Sequence, residues 1–236
     1  SNPQGISYSD ETVRRFAALK PAAKDFRIYW DNAYSVHHLY DDAAQQDQLL
    51  DIAKACVEAG NPNRYFKFAS TSKVTFPGAG VAAMAASPEN VAEIKKRMGV
   101  QTIGHDKLNQ MRHVRFLKDA DGIAAHMAKH ASIIRPKFEL VLKMLEEGLA
   151  GTGCGSWSNP RGGYFVSFDA PEGTAKHIVA MAKEAGVTMT GAGATYPYKN
   201  DPKDSNIRIA PTLPPLEELE SALKVFVCCV KLASVE

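Results

Sequence analysis

Ser70-Thr71-Ser72-Lys73 places hydroxyls and a primary amine within four positions, just ahead of the small-residue stretch Pro77-Gly78-Ala79-Gly80. A neutral lysine amine is the nucleophile that Schiff-base formation with an aldehyde requires, and flanking serine hydroxyls can donate to a phosphate. The same tetrapeptide also reads as a polar loop with a surface lysine. A second group, Asp31-Asn32-Ala33-Tyr34, follows the apolar and aromatic run at 26–30. A carboxylate at the mouth of a buried strand is costly unless a cation or N–H donors meet it. A protonated pyridine nitrogen would satisfy it, and the Tyr34 phenol could then bond an anionic ring oxygen. The alternative is a turn in which Asp31 and Asn32 bond nearby backbone groups. Arg208 is the one charged residue in Ile207-Arg208-Ile209-Ala210, so if it points inward it needs an anion, either a ligand or a structural carboxylate.

The elements that must position these groups follow from the pattern of apolar residues. Ser7 to Ser9 offer N-cap oxygens to a helix through about residue 19, whose Val13, Phe16, Ala17 and Leu19 form a stripe before Pro21. Short apolar runs predict strands at 26–30, 65–69 and 80–85, with helices at 46–59 and 88–98 between and after them. Such alternation argues for a mostly parallel sheet covered by helices, in which ligands gather at the carboxyl ends of the strands. The longest helical pattern runs over 121–149, and Pro136 within it predicts a kink or a break. Beyond the glycine-rich stretch 148–155 the pattern changes to strand 164–168, helix 173–185, strand 207–210 and helix 216–232. The predicted organisation is therefore 1–120, a helix at 121–149 joining two domains, and a small α+β domain at 150–236.

Composition narrows the function classes. The chain has 236 residues, 45% hydrophobic and 23% charged, enough for one large domain or two modest ones. Its 28 basic and 26 acidic residues leave a formal charge of +2 with no block of like charge, so a nucleic-acid or membrane-surface role has no electrostatic support. The apolar runs fall short of the roughly 18–20 residues of a membrane span, and the start lacks the plan of a signal peptide. The four cysteines, Cys56, Cys154, Cys228 and Cys229, fit neither a metal pattern nor a disulfide framework. They read as small buried apolar residues in a reducing, cytoplasmic setting.

Taken in order, Asn2-Pro3-Gln4-Gly5, then D-x-A-Y at 31–34, S-x-S-K at 70–73 and N-I-R at 206–208 resemble the fold type I, pyridoxal phosphate-dependent aminotransferases of class I. The stretch from Ser70 to Val81 is similar to a divergent aspartate aminotransferase-like subgroup. The resemblance implies an α/β fold: the C-terminal part of a mostly parallel sheet with flanking helices, a long interdomain helix and a small α+β domain. It implies that Lys73 is catalytic, binding the aldehyde of pyridoxal 5'-phosphate and later shuttling a proton. Asp31 is implied to pair with the pyridinium nitrogen, Tyr34 and Asn2 to hold the ring oxygen, Ser70 and Ser72 to bind the phosphate, and Arg208, with Asn2 beside it, to hold the substrate α-carboxylate. The implied activity moves an amino group between an amino acid, aspartate or glutamate, and a 2-oxo acid, in a homodimer. A pyridoxal phosphate-dependent lyase and a non-catalytic effector module of a transcription regulator share the same motifs.

Two departures from the family pattern stand out. An arginine that commonly neutralises the phosphate is replaced at Gly80, so hydroxyls, backbone N–H groups and groups elsewhere must serve. The chain also begins at the N-P-x-G motif, upstream of which the family carries about half its sequence, so a C-terminal fragment of a longer chain is expected. Arg161, in Arg161-Gly162-Gly163-Tyr164-Phe165, is expected near a substrate side-chain carboxylate. His126 and His130 have the i, i+4 spacing of metal ligands but no third ligand, and read as an exposed or packed pair. His37 and His38 read as lining a loop near the site, and Gly191 to Ala194 lacks the strand-turn-helix context of a dinucleotide loop.

Overall fold

Hydroxyl and carboxylate caps set most of the helix starts. In the computed structural model of the chain, which describes residues 2–235, Ser9 Oγ accepts the Thr12 N–H at 3.2 Å and opens helix α1, Asp10–Ala18. Asp51 caps α2, Ile52–Glu58, through the Ala53 N–H at 3.0 Å. This carboxylate cap moves the start of the second helix to Ile52 from the predicted 46, with a short 3-10 turn at Ala43–Gln45 ahead of it. Ser87 caps α3, Pro88–Gln101, and Asp106 caps α4, Lys107–Leu117. α4 has no counterpart in the sequence reading. Arg112, His113 and Arg115 interrupt its apolar positions, and only Leu117 is buried, which leaves a weak period to detect.

The chain divides into two units, and each has its own core. The first comprises Ser7–Val36 and Gln48–Met127. It holds a three-stranded sheet of β1 (Ile28–Asp31), β2 (Tyr65–Ser70) and β3 (Ala82–Ala86) in that spatial order. β1 and β2 are parallel, with Asp31 opposite Phe68. β3 is antiparallel to β2, with Ser70 opposite Ala82, where alternation of strand and helix predicts a parallel neighbour. The short link between Ser70 and Ala82 explains the difference, because a parallel neighbour needs a crossover of about a dozen residues or more, usually a helix. Val13 and Ala17 of α1 pack with Trp30, Ile52, Ala55, Cys56 and Tyr65 as the core behind the sheet.

The second unit comprises Ser1–Ile6, His37–Asp47 and Ala128–Glu236, so the chain passes between units within α5, Ala120–Leu149. Phe138, Val141, Leu145 and Leu149 of that helix form a buried stripe. They pack with Val166 and Phe168 of β5 (Val166–Asp169), Ile207 of β6 (Asn206–Ile209), and Phe226 and Val230 of α7 (Leu216–Ala233). β4 (Ser156–Trp157), β5 and β6 form an antiparallel sheet in that order, and α6 (Ala175–Glu184) joins the same core through Ile178 and Ala182. Of the kink or break expected at Pro136, the break does not occur: α5 is helical throughout its 30 residues, with Pro136 inside it. An interior proline costs a helix about 3 kcal/mol, and burying three or four large side chains at about 1.5–3 kcal/mol each exceeds it.

All four cysteines are free thiols, two of them buried. Among the described residues no helix is long and apolar enough to cross a membrane, and no cluster of histidine, cysteine and carboxylate side chains is arranged to hold a metal ion.

Candidate cofactor and substrate site

The first unit gathers Asp31, Tyr34, Ser70, Ser72 and Lys73. Because β1 and β2 run parallel, their carboxyl ends lie at the same edge of the sheet, and Asp31 and Ser70 are the last residues of the two strands. Beyond β1 the chain turns: Asp31 Oδ1 accepts the Ala33 N–H at 3.0 Å and Asn32 N donates to Phe68 O at 2.9 Å. The Asx turn weighed as an alternative for Asp31 is thus present, and it leaves the carboxylate exposed. Tyr34 follows on that turn, and Lys73 Nζ lies 5.4 Å from the centroid of its ring.

Beyond β2 the backbone makes one helix-like turn, in which Val74 N and Thr75 N both donate to Thr71 O at 2.9 Å. Lys73 sits in the middle of this turn and is exposed, whereas its neighbour Val74 is 4% exposed and packs against Leu117 and Met127. Ser70 Oγ donates to Ser72 Oγ at 3.0 Å and accepts the Ser72 N–H at 3.1 Å, so the two hydroxyls meet at the start of the turn that carries Lys73. Gly80 stands against this turn. A Cβ there would meet Ser72 N and Cα at 3.0 Å, so a side chain at the position of the family's arginine would press on the serine backbone.

The second unit holds Asn2 and Arg208. β6 carries Arg208 opposite Ser167 of β5, and its guanidinium lies over the Phe165 ring, Cζ 4.5 Å from the centroid. Arg208 Nη1 donates to Asn2 Oδ1 at 3.1 Å, while the buried Nε has no hydrogen-bond partner. A buried guanidinium nitrogen without an acceptor is costly, and an incoming carboxylate is the acceptor its planar fork suits best. The Asn2 loop is fixed by two contacts. Ser158 Oγ donates to Gln4 O at 3.0 Å, and Gly5, at φ +68, passes so close to the Phe165 carbonyl that a Cβ would lie 2.0 Å from its oxygen. Only glycine fits there, which gives the last position of N-P-x-G its physical reason.

The sequence model of the family described as aspartate amino-transferase matches residues 1–236, the whole chain. The chain belongs to the aspartate aminotransferase family. A curated protein of Mycolicibacterium smegmatis is 50% identical over 236 residues, and a curated aspartate aminotransferase of Corynebacterium glutamicum is 45% identical over 236. Each match covers 100% of this chain and 54% of the relative, so the chain spans about half the length of the curated relatives it matches. A crystal structure of an aspartate transaminase from Corynebacterium glutamicum has a TM-score of 0.94 at 45% identity, covering 99% of this chain and 55% of that one.

Of the remaining candidates, Arg161 is exposed and its carbonyl accepts the Leu39 N–H at 3.0 Å. His37 is buried and packs edge-on to Tyr164 at 5.2 Å. His38 is held below the usual histidine range because burial disfavours its charged form, against the pull of Asp47. Sequence reasoning missed His113 behind the Lys73 turn, where its Nε2 lies 2.9 Å from Thr71 Oγ1 and 3.2 Å from Thr75 Oγ1; His126 Nε2 lies 2.8 Å from Val74 O of the same turn. His126, read from the sequence as part of an exposed or packed pair, is packed: its ring meets the Val74 carbonyl and lies edge-on to Phe116 at 5.1 Å.

Proposed function

We propose that this chain supplies the lysine, the ring-binding carboxylate and the substrate-binding arginine of a pyridoxal phosphate-dependent aminotransferase. Its substrates in this reading are aspartate or glutamate and a 2-oxo acid. The observation that carries the reading is the turn after β2, where the exposed Lys73, its amine 5.4 Å from the Tyr34 ring, directly follows the mutually bonded Ser70 and Ser72 hydroxyls. Membership of the aspartate aminotransferase family over the whole chain supports it, as does the similar aspartate aminotransferase of Corynebacterium glutamicum. In this reading residues 1–120 belong to the cofactor-binding domain, 121–149 to the helix joining the domains and 150–236 to the small domain. The protein works as a cytoplasmic homodimer, as the resemblance implies.

The donor set fits the cofactor. Serine hydroxyls suit a phosphate, a carboxylate at a strand end suits a protonated ring nitrogen, and a phenol suits the ring oxygen. Pyridoxal phosphate, when bound, supplies the aldehyde that captures an amino group and the electron-withdrawing ring that makes the substrate Cα–H acidic. Asp31 holds the proton on the ring nitrogen, and Tyr34 and Asn2 orient the ring oxygen. Ser70 and Ser72 hold the phosphate where the arginine is replaced by Gly80. Arg208 orients the substrate through its α-carboxylate, with Nε as the waiting donor. Lys73 Nζ would hold the aldehyde carbon and, once the substrate amino group has displaced it there, would take the proton from the substrate Cα.

Borohydride reduction of the native holoprotein followed by peptide mass analysis tests this directly. The expected result is a single adduct of cofactor mass on Lys73, absent from Lys73→Ala, whose transamination of aspartate falls to background. An adduct on another lysine, or none in the wild type, overturns the reading.

A further inference from the structure

The geometry points to His113 as a positioning residue for Lys73, acting through Thr71 as a clasp that closes the loop on which the amine is carried. The inference rests on the role proposed for Lys73. Thr71 and Val81 meet across the base of that loop: Thr71 N donates to Val81 O at 2.9 Å and Val81 N donates to Thr71 Oγ1 at 2.8 Å. The Thr71 hydroxyl is therefore both an acceptor in the closure and a donor that must be aimed elsewhere. Its alternatives are Val81 O at 3.4 Å, a long contact, and His113 Nε2 at 2.9 Å.

The other ring nitrogen decides which role Nε2 takes. His113 Nδ1 lies 2.9 Å from Asn109 O, and a carbonyl only accepts, so Nδ1 carries the proton and Nε2 of the neutral ring is an acceptor. The Thr71 O–H then donates to Nε2, which fixes the hydroxyl so that a lone pair faces Val81 N. Thr75 Oγ1, the second group beside Nε2, donates to Thr71 O at 3.1 Å, within the turn that holds Lys73. One helical turn earlier on α4, Asn109 Nδ2 donates to Ala79 O at 2.8 Å at the far end of the same loop. Both residues lie on one face of α4, which begins at the Asp106 cap.

The consequence is a rigid pedestal under an accessible amine. Lys73 stays exposed while Thr71, Val74 and Thr75 around it are tied to α4 and α5, so the turn is ordered before the cofactor arrives and less ordering entropy is spent on binding. A histidine that only supported α4 would leave the loop at 71–81 unaffected when removed.

The test compares His113→Ala, Thr71→Val, the double variant and His113→Gln in the holoprotein. Three quantities are read: the dissociation constant of pyridoxal 5'-phosphate, the rate of borohydride-trapped labelling at Lys73, and hydrogen exchange at the Val81 amide. Each single loss is expected to weaken cofactor binding about tenfold, equivalent to ~1.4 kcal/mol, to slow labelling and to speed Val81 exchange. The double variant is expected to match Thr71→Val, which already removes the bond to His113 together with the one its hydroxyl accepts from the Val81 N–H. His113→Gln, whose side-chain oxygen can accept from Thr71, is expected to recover most of the affinity. Wild-type affinity and Val81 exchange in His113→Ala overturn the clasp, as do losses that add fully in the double variant. A wild type that labels at Lys73 beside a His113→Ala that labels as fast overturns the positioning role alone, whereas a wild type that forms no adduct there overturns the functional reading and the role of the clasp with it.

Discussion

Replacing Arg208 by lysine keeps the positive charge and removes the fork, so it isolates what the guanidinium geometry contributes. Nη1 is committed to Asn2 Oδ1 at 3.1 Å, and the buried Nε has no hydrogen-bond partner in the chain. An ammonium offers one point charge, which cannot hold Asn2 and bond a carboxylate from the Nε position at once. One charge-assisted hydrogen bond, about 1.5–3 kcal/mol, is lost, and so is stacking on Phe165 at 4.5 Å, a further ~0.5–1 kcal/mol. The first alone corresponds to a fall of about 10- to 150-fold in kcat/KM for aspartate. Steady-state transamination with aspartate and a 2-oxo acid measures it, and a primary amine without an α-carboxylate, followed in a single half-reaction, is the control. The loss should vanish with that amine. If Arg208→Lys stays within about threefold of wild type, or loses as much on the amine as on aspartate, Arg208 does not hold the carboxylate.

Two stability predictions test the frame around the site. Burial opposes ionisation of Asp201, but the backbone N–H groups of Asn206, Ser205, Lys203 and Asp204 outweigh it and hold the carboxyl below the usual carboxylate range. Asp201→Asn turns a donor toward N–H groups held at 2.8–3.0 Å and should cost about 2–4 kcal/mol at pH 7. Since the folded carboxyl titrates below the unfolded one, the stabilisation is complete above the unfolded value of about 3.9 and is lost as pH falls through the folded value. The gap between wild type and variant in urea titrations should therefore shrink in acid; a gap that is constant from neutral to strongly acid pH refutes the account. Gly5→Ala forces a left-handed alanine and a Cβ against the Phe165 carbonyl, an expected loss of about 2–5 kcal/mol by thermal or urea unfolding, and an unchanged midpoint would show that the loop relaxes freely.

What could be read without coordinates was local and short in range. The cap at Ser9, the strand ending at Asp31, the strand running up to Ser70, and the single charge on β6 each announce themselves within a few residues. The direction of β3 depends on how few residues join Ser70 to Ala82, a count that apolar patterning ignores. At Pro136 the cost of an interior proline is visible in the sequence, while the burial of Phe138, Val141, Leu145 and Leu149 that keeps the helix unbroken is a tertiary fact. His113 was illegible for the same reason: its partners Thr71 and Thr75 lie about forty residues earlier in the chain, and only the packing of α4 against the loop brings them within hydrogen-bond reach.

The chemistry of the first unit is inherited from its core. Side chains alternate across a strand, so Trp30, which packs with Val13, Ile52 and Tyr65, and Asp31, which follows it, face opposite sides of the sheet. On the Asp31 side, Tyr29 lies against Phe66 at 5.5 Å and Phe68 at 5.8 Å, and Ser70 shares the face of those two phenylalanines by the same alternation. A slip of one residue between β1 and β2 would carry Trp30 out to solvent and Asp31 into the core behind the sheet, costing both the burial of an indole and the desolvation of a carboxylate. The register that buries Trp30 is therefore the register that sets Asp31 at the same edge as Ser70 and the Lys73 turn. Hydrophobic patterning, with no catalytic requirement of its own, brings together groups 42 positions apart, the interval from residue 31 to residue 73.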